Sequence, residues 1–392
     1  MSAEPLPLVQ TPASELRVET VSDESGFVAL ETVWNWLAGA AGVEHPFLRH
    51  EWVRAAWDCF ARGHELRVLV ARAGAEPVAI APLMLGRARM YGLRTRQLGF
   101  IGNVHTPRFD LLLARSPRAA VRAIWQRLAA QAGGWDVLCL RDVPESSPAL
   151  RELEAAARAD GFLTGVWRSC EAPVLPLTGS FESYAAGLRR KHRSNLRNRF
   201  KRLGALGLVD REVVCAAEPE ALTEAFALEA KGWKGERATA IQARAETAAF
   251  YRRVAESAAR QGWFRLHFLR VGGRRVAFQL TLECERRIYL LKLSHDPGLS
   301  AYSPQSLLCW LVLEDAFGRG LERYEFLGAR EPWKLEWARE CVPHVWLFVF
   351  PDSWRGRLLH RAKFRLFARL QQEPLYLALR DRLFAGRRGR SA

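Results

Sequence analysis

The chain has 392 residues, 49% of them hydrophobic and 26% charged, which are globular proportions and exclude a disordered or low-complexity protein. Its formal net charge of +16 and pI near 10.1 fit an arginine-rich genomic bias, or acidic partners such as nucleotide cofactors, anionic lipid or nucleic acid. Seven scattered cysteines without a C-x-x-C pair exclude a disulfide framework and a cysteine zinc site, and no apolar stretch approaches the ~20 residues of a membrane span.

The length suggests two or three domains. Residues 1–15 read as a loose lead-in without the basic start and apolar core of an export signal, so a reducing cytoplasmic setting is expected, free or peripheral on the inner membrane. A strand at Leu16–Val21 leads to a helix near Gly26–Leu37, and HPFLRHEWVRAAWDCF reads as a loop and a second helix. Three strands follow, ELRVLVAR, PVAIAPLML and a polar segment over Arg87–Phe100. Next come FDLLLA (strand), Pro117–Gln131 (helix), WDVLCL (strand), Ser147–Asp160 (helix) and a strand near Val166–Leu177.

The second half repeats that order. A long basic helix over Phe181–Leu206 precedes a strand at Val209–Val214 and helices at Glu218–Lys231 and Glu246–Gln261. FRLHFLRV, RVAFQLTLE and IYLLKL form a meander turned at Gly272-Gly273, followed by a helix from Pro304 to Phe317, the strand RYEFLG, a short helix WKLEWA and the strand VWLFVF. Ser116-Pro117 and Ser303-Pro304 open equivalent helices, each stopped by paired glycines before a strand, so an internal duplication is expected. The fold class is therefore α+β: two halves, 16–180 and 181–350, each a mostly antiparallel sheet flanked by helices, with a cleft between them. The tail, 351–392, carries eleven Arg or Lys against three acids, with apolar residues at roughly helical spacing. It either lies on an anionic membrane surface or packs its apolar face on the domain.

Chemistry concentrates between Arg287 and Leu313, where a strand and a D-P-G turn feed a helix. Pro304 suits the first helical position and Ser303 can cap it, leaving the amides of Gln305, Ser306 and Leu307 to meet an anion. Lys292, among apolar neighbours in its strand, either faces a pocket and holds a phosphate or carboxylate, or snorkels to water. Asp296 is a turn former or a general base; His295 has the better intrinsic pKa for that work. Glu229, Trp233 and Lys234 either line a substrate mouth or end a helix. Along the basic helix, Tyr184, Leu188, His192, Leu196 and Phe200 recur at i+4 as a packing stripe. Arg193 and Arg197 face elsewhere, toward a phosphorylated acceptor or toward solvent. No catalytic Ser-His-Asp spacing, Walker motif or G-x-G-x-x-G is present.

Three patches, LRRKHRSNLRNRFKRL (188–203), LEAKGWKG (228–235) and YLLKLSHDPGLSAYSPQSLL (289–308) with FLGAREPWKLEWA (326–338), carry a resemblance, joined by HPFLRHEWVRAAW near the N-terminus. Together they resemble the acetyltransferase-like family grouped with the cellulose-biosynthesis protein CelD. That family lies within the GCN5-related N-acetyltransferase (GNAT) superfamily, near the Fem-type peptidoglycan aminoacyltransferases. The resemblance implies tandem GNAT-like halves and acyl transfer from acetyl-CoA or another acyl-CoA, without a metal, to an amine of a small-molecule or envelope-precursor acceptor. It implies a diphosphate turn at Ser303–Leu307, although Gln305 stands where the family usually has Gly. Trp333, Lys334 and Trp337 fall where the superfamily contacts acceptor or CoA. Two rival expectations are a Fem-type transferase that takes its group from aminoacyl-tRNA, the one reading with a nucleic-acid partner, and a non-catalytic scaffold of an envelope or exopolysaccharide system.

Overall fold

Apolar alternation and tight turns build two meanders of the same order. The computed structural model describes residues 16–114, 117–232 and 240–366. The first half contains β1 (Leu16–Val21), α1 (Glu24–Ala29), α2 (Glu31–Ala40), α3 (His50–Phe60), β2 (Glu65–Ala73), β3 (Glu76–Met90) and β4 (Leu93–Phe100). It continues with β5 (Leu112–Leu113), α4 (Pro117–Ala130), β6 (Val137–Pro144), α5 (Pro148–Ala159) and β7 (Leu163–Pro176). Helices α6 (Phe181–Gly187) and α7 (Arg190–Gly204) lead into the second half, which begins with β8 (Val209–Val214), α8 (Pro219–Ala230) and α9 (Ala245–Arg260). There follow β9 (Phe264–Val271), β10 (Arg274–Cys284), β11 (Arg287–His295), α10 (Pro304–Gly318), β12 (Arg323–Glu325), β13 (Glu340–Phe350) and α11 (Trp354–Arg361). The β9–β10 hairpin turns on Gly272 and Gly273, both at positive φ, where a side chain would be strained.

All the strands join one sheet, in the order β1-β2-β3-β4-β6-β13-β7-β12-β11-β10-β9-β8, with β5 beside β3. The order reads alike from both ends. In each half an antiparallel meander of four strands meets a parallel fifth strand, β6 on β4 and β12 on β11. The last strands are exchanged: β13 pairs with β6, β7 pairs with β12, and the two pair with each other down the middle. One face of the sheet carries α1, α2, α3, α8 and α9 in a single core, in which Trp52 of α3 meets Phe250 of α9 edge-on at 5.3 Å. The other face carries α4 and α5 on the first half and α6, α7 and α10 on the second.

Several expectations change. The two halves do not leave a cleft between them: the apolar faces of α3 and α9 close on each other, and the open space lies inside each half. The helix expected over Phe181–Leu206 breaks at Leu188, whose backbone is extended (φ −69, ψ 152). Gly187 holds a helix poorly, and the break lets both Tyr184 and Leu188 reach the core of the second half. The segment Arg87–Phe100 is a hairpin, because Tyr91 and Gly92 take positive φ. Only Leu112–Leu113 of FDLLLA is strand. WKLEWA shrinks to a single 3-10 turn at Lys334–Glu336. VWLFVF is the end of the longer β13.

Candidate functional site

The second half opens where its parallel pair stops. Arg287–Tyr289 of β11 pairs with Arg323–Glu325 of β12, and there the strands part. Phe326 turns its amide to the carbonyl of Pro173 on β7, whereas β11 runs on to His295 paired with β10. The edge of β11 from Leu290 onward therefore lines a cavity of about 900 Å³, closed below by Phe326, Trp333 and Trp337.

A bulge sits at this edge. Leu280 is opposite Lys292 while Thr281 is opposite Leu290, so Leu291 is an extra residue. The insertion re-aims the chain: Leu290 and Leu293 enter the α7–α10 core, whereas Leu291 packs toward α8 and α9. Lys292 and Ser294 lie on that same side, with Lys292 Nζ 5.2 Å from the Tyr251 ring centre and Ser294 Oγ donating to the Leu228 carbonyl at 3.4 Å. The cavity is lined by Gly232 and Lys292 on one face of the sheet and by Gln305 and Ser306 on the other. It passes through the sheet.

On the α8–α9 side, Tyr251 lies 3.3 Å, hydroxyl to Nδ1, from His105, which comes from the first half and stacks on Phe60. Burial, and next the Lys292 ammonium, lower the His105 pKa to about 4, against a smaller pull from the Glu229 carboxylate. Burial raises the Tyr251 hydroxyl well above its ordinary value, with Glu229 adding to the rise. Glu229 is fully buried and accepts the Ile241 amide at 2.8 Å, which ties the end of α8 to the chain just before α9. Glu229 and Lys292 are thus brought together. Sequence reasoning missed Tyr251 and His105, because one reads as a helix-core aromatic and the other as a loop histidine in the wrong half.

On the other face the helix start differs from expectation. Ser303 is left-handed (φ 47, ψ 58) and its side chain caps nothing, since it also closes the 3-10 turn Pro297–Tyr302 and lacks the extended backbone of a capping residue. The expected ledge of three amides is absent. Ser306 and Leu307 both donate to the Ser303 carbonyl, at 2.9 and 3.4 Å; Leu307, fourth past the cap, is where helical bonding begins. No acceptor among the described residues meets the Gln305 amide. The Gln305 side chain donates to the carbonyls of Phe278 (3.0 Å) and Ser294, stapling α10 to the strands beneath it. Pro304 and Leu307 are buried.

The remaining candidates fall as follows. His295 lines the cavity, 3.1 Å from Ser300 Oγ, and burial lowers its pKa. The Asp296 carboxylate accepts the Gly298 amide at 3.0 Å and meets Arg274 at 3.4 Å, the arrangement of a turn former. Lys334 lines the cavity but is mostly buried, its ammonium on the carbonyls of Leu327 (2.7 Å) and Ala329 (3.0 Å) and 3.5 Å from the Glu331 carboxylate, so its contacts close its own loop. Trp233 and Lys234 lie outside the described residues. Arg193 is half-buried and Arg197 exposed on α7, and neither is among the cavity's described lining. His192 packs edge-on to Trp337 at 4.7 Å and 3.3 Å from Glu336.

The equivalent opening in the first half is plugged. There β4 and β6 part beyond Gly99 and Cys139, but Phe109 stacks on Phe100 at 5.4 Å and donates its amide to the Asp142 carbonyl at 3.2 Å. Gly102 makes room for that ring, since a Cβ there would lie 2.7 Å from it. A hollow of about 360 Å³ remains.

Residues 190–335, which hold the whole open cavity, match the family described as acetyltransferase (GNAT) domain. The fold is GNAT. FemX is similar over 87% of this chain and all of its own at 12% identity, with a TM-score of 0.55. A conserved protein of unknown function from Bacteroides thetaiotaomicron VPI-5482 is similar over 86% of this chain and 100% of its own, at 12% identity and a TM-score of 0.50. A tandem GNAT protein from the clavulanic acid biosynthesis pathway covers 86% of this chain and 100% of its own, at 14% identity and a TM-score of 0.47. No curated protein matches the chain. Among the described residues, no group of three or more His, Cys, Asp or Glu is placed to hold a metal ion, and no helix is long and apolar enough to cross a membrane.

Proposed function

We propose that the protein is an N-acyltransferase that uses acyl-CoA as donor, acetyl-CoA in the simplest case, and binds it in the second half. One observation carries this reading: a cavity that begins at the start of α10, passes between β11 and β12, and ends beside Lys292 on the α8–α9 face. A diphosphate would sit near the Gln305 amide, where the helix dipole favours negative charge. The pantetheine arm would follow the cavity-lining part of β11, from Leu290 onward, through the sheet.

The acceptor amine would approach from the α8–α9 side. Its nitrogen attacks the thioester carbonyl carbon, the C–S bond breaks, and the CoA thiolate leaves. Lys292 supplies positive charge where the carbonyl oxygen and then the sulfur gain negative charge. His105, kept neutral by burial, accepts the amine's proton through the Tyr251 hydroxyl, so the first half completes the site. An anionic, envelope- or polysaccharide-related acceptor rests on the resemblance to the CelD-like family alone.

Calorimetry with acetyl-CoA tests this. The wild type should bind, and Ser306→Glu, which sets a carboxylate at the cavity wall beside the diphosphate, should weaken binding about tenfold or more. Absence of CoA binding by the wild type, or equal binding by both, removes the donor assignment. Salt-sensitive binding of aminoacyl-tRNA without CoA binding would put a Fem-type transferase in its place.

A further inference from the structure

The end of the described chain carries a surface that acyl transfer does not use. Ser303's counterpart there, Ser353, does cap its helix, accepting the Gly356 amide at 3.1 Å, and α11 continues into a π-helical turn at Ala362–Leu366. The inner side is anchored. Leu359 is buried against Phe350, the His360 ring lies 3.1 Å from the Thr164 carbonyl, and the Phe364 ring lies on Gly165, where no Cβ would fit.

The outer side is both apolar and basic. Trp354, Leu358 and Leu366 are 74%, 48% and 57% exposed, and Arg357, Arg361 and Arg365 are exposed among them. Positions 354, 357, 358, 361 and 365 fall on one face of a helix. Between residues 351 and 366 the only acid is Asp352, which is bonded to Arg357 at 2.6 and 2.9 Å. We propose that this face, Trp354, Leu358 and Leu366 interleaved with Arg357, Arg361 and Arg365, docks the protein on a bilayer containing anionic lipid. Water leaves the indole and leucine side chains while the guanidinium groups stay at the phosphate level. A second copy of the same face would set arginine against arginine, so charge complementarity selects the lipid. The face lies away from the transfer cavity: the eleven residues of β13 separate α11 from Trp337, about 36 Å of strand.

Flotation of the full chain with phosphatidylcholine vesicles, and with vesicles that also contain phosphatidylglycerol, tests the proposal. The wild type should bind the anionic vesicles alone, less so at high salt. Arg361→Gln and Arg365→Gln should each lower partitioning about fivefold. Trp354→Ser with Leu358→Ser should lower it about tenfold or more, with an unchanged circular dichroism spectrum. Failure to bind lipid, or equal binding by the serine variant, overturns the proposal; so does concentration-dependent dimerisation or RNA binding that the serine variant loses while its lipid binding persists.

Discussion

Arg108 and Glu325 join the first half to the apex of the open cavity. Their side chains are 10% and 1% exposed, Arg108 meets Glu325 at 3.0 Å, and Arg323 holds the other carboxylate oxygen at 3.1 Å. Breaking a buried pair strands a charge, which costs about 3–5 kcal/mol. Glu325→Gln leaves Arg108 without its carboxylate inside the protein, while Arg323 is exposed enough to reach water; about 3 kcal/mol is expected. Arg108→Met should cost about 2 kcal/mol, because Arg323 still neutralises Glu325. The double variant Arg108→Met/Glu325→Leu removes both charges together and should lie within about 1 kcal/mol of the wild type. Urea unfolding of the four proteins measures the cycle. Single costs below about 1 kcal/mol, the value of exposed pairs, or a double variant equal to the sum of the singles, would refute the reasoning.

Lys292→Met should lower kcat about a hundredfold with little change in acetyl-CoA affinity, read by thiol release and calorimetry; lost affinity with unchanged kcat would make it a donor-binding residue instead. Lys334→Met removes bonds to Leu327 and Ala329 and leaves the buried Leu327 carbonyl without a donor, so thermal unfolding should show a loss of about 2 kcal/mol; an unchanged Tm would mean that the loop holds without it. Burial lowers the His267 pKa to about 3 and the His344 pKa to about 4, below the unfolded value of 6.5, so each contributes stability that is present above pH 6.5 and lost as pH falls toward its folded pKa. The slope is about 1.4 kcal/mol per pH unit for each; Asp110, raised to about 6 by burial, offsets one of them between pH 6 and 3.8, and His105 adds to the loss. The Tm should therefore fall between pH 7 and pH 5, and a rise over that interval would contradict the buried-neutral assignment.

Local patterns were legible because local chemistry decided them. Pro304 after Ser303 starts a helix, Gly272-Gly273 turns a hairpin, and the i+4 stripe Leu188–His192–Leu196–Phe200 lies on the core whether or not its first residue is helical. The repeat was legible for the same reason. The exchange of β7 and β13 was not, because two apolar strands of similar length are alike to any partner in sequence. The bulge at Leu291 was hidden too: strict alternation puts Ile288, Leu290 and Lys292 on one side, and only the register against Leu280 and Thr281 shows Lys292 turned the other way. His105 carried no signal, since its neighbours in the site lie 124 or more positions along the chain.

The central claim is that a donor threads the sheet along the part of β11 that lines the cavity. Hydrogen exchange of the backbone amides, with and without acetyl-CoA, tests it directly. The account predicts slower exchange confined to the edge after Leu290 and to Gln305 at the start of α10, with β4 and the plugged hollow of the first half unchanged. Protection at β4 and β6 instead, or none in either half at saturating acetyl-CoA, would contradict it.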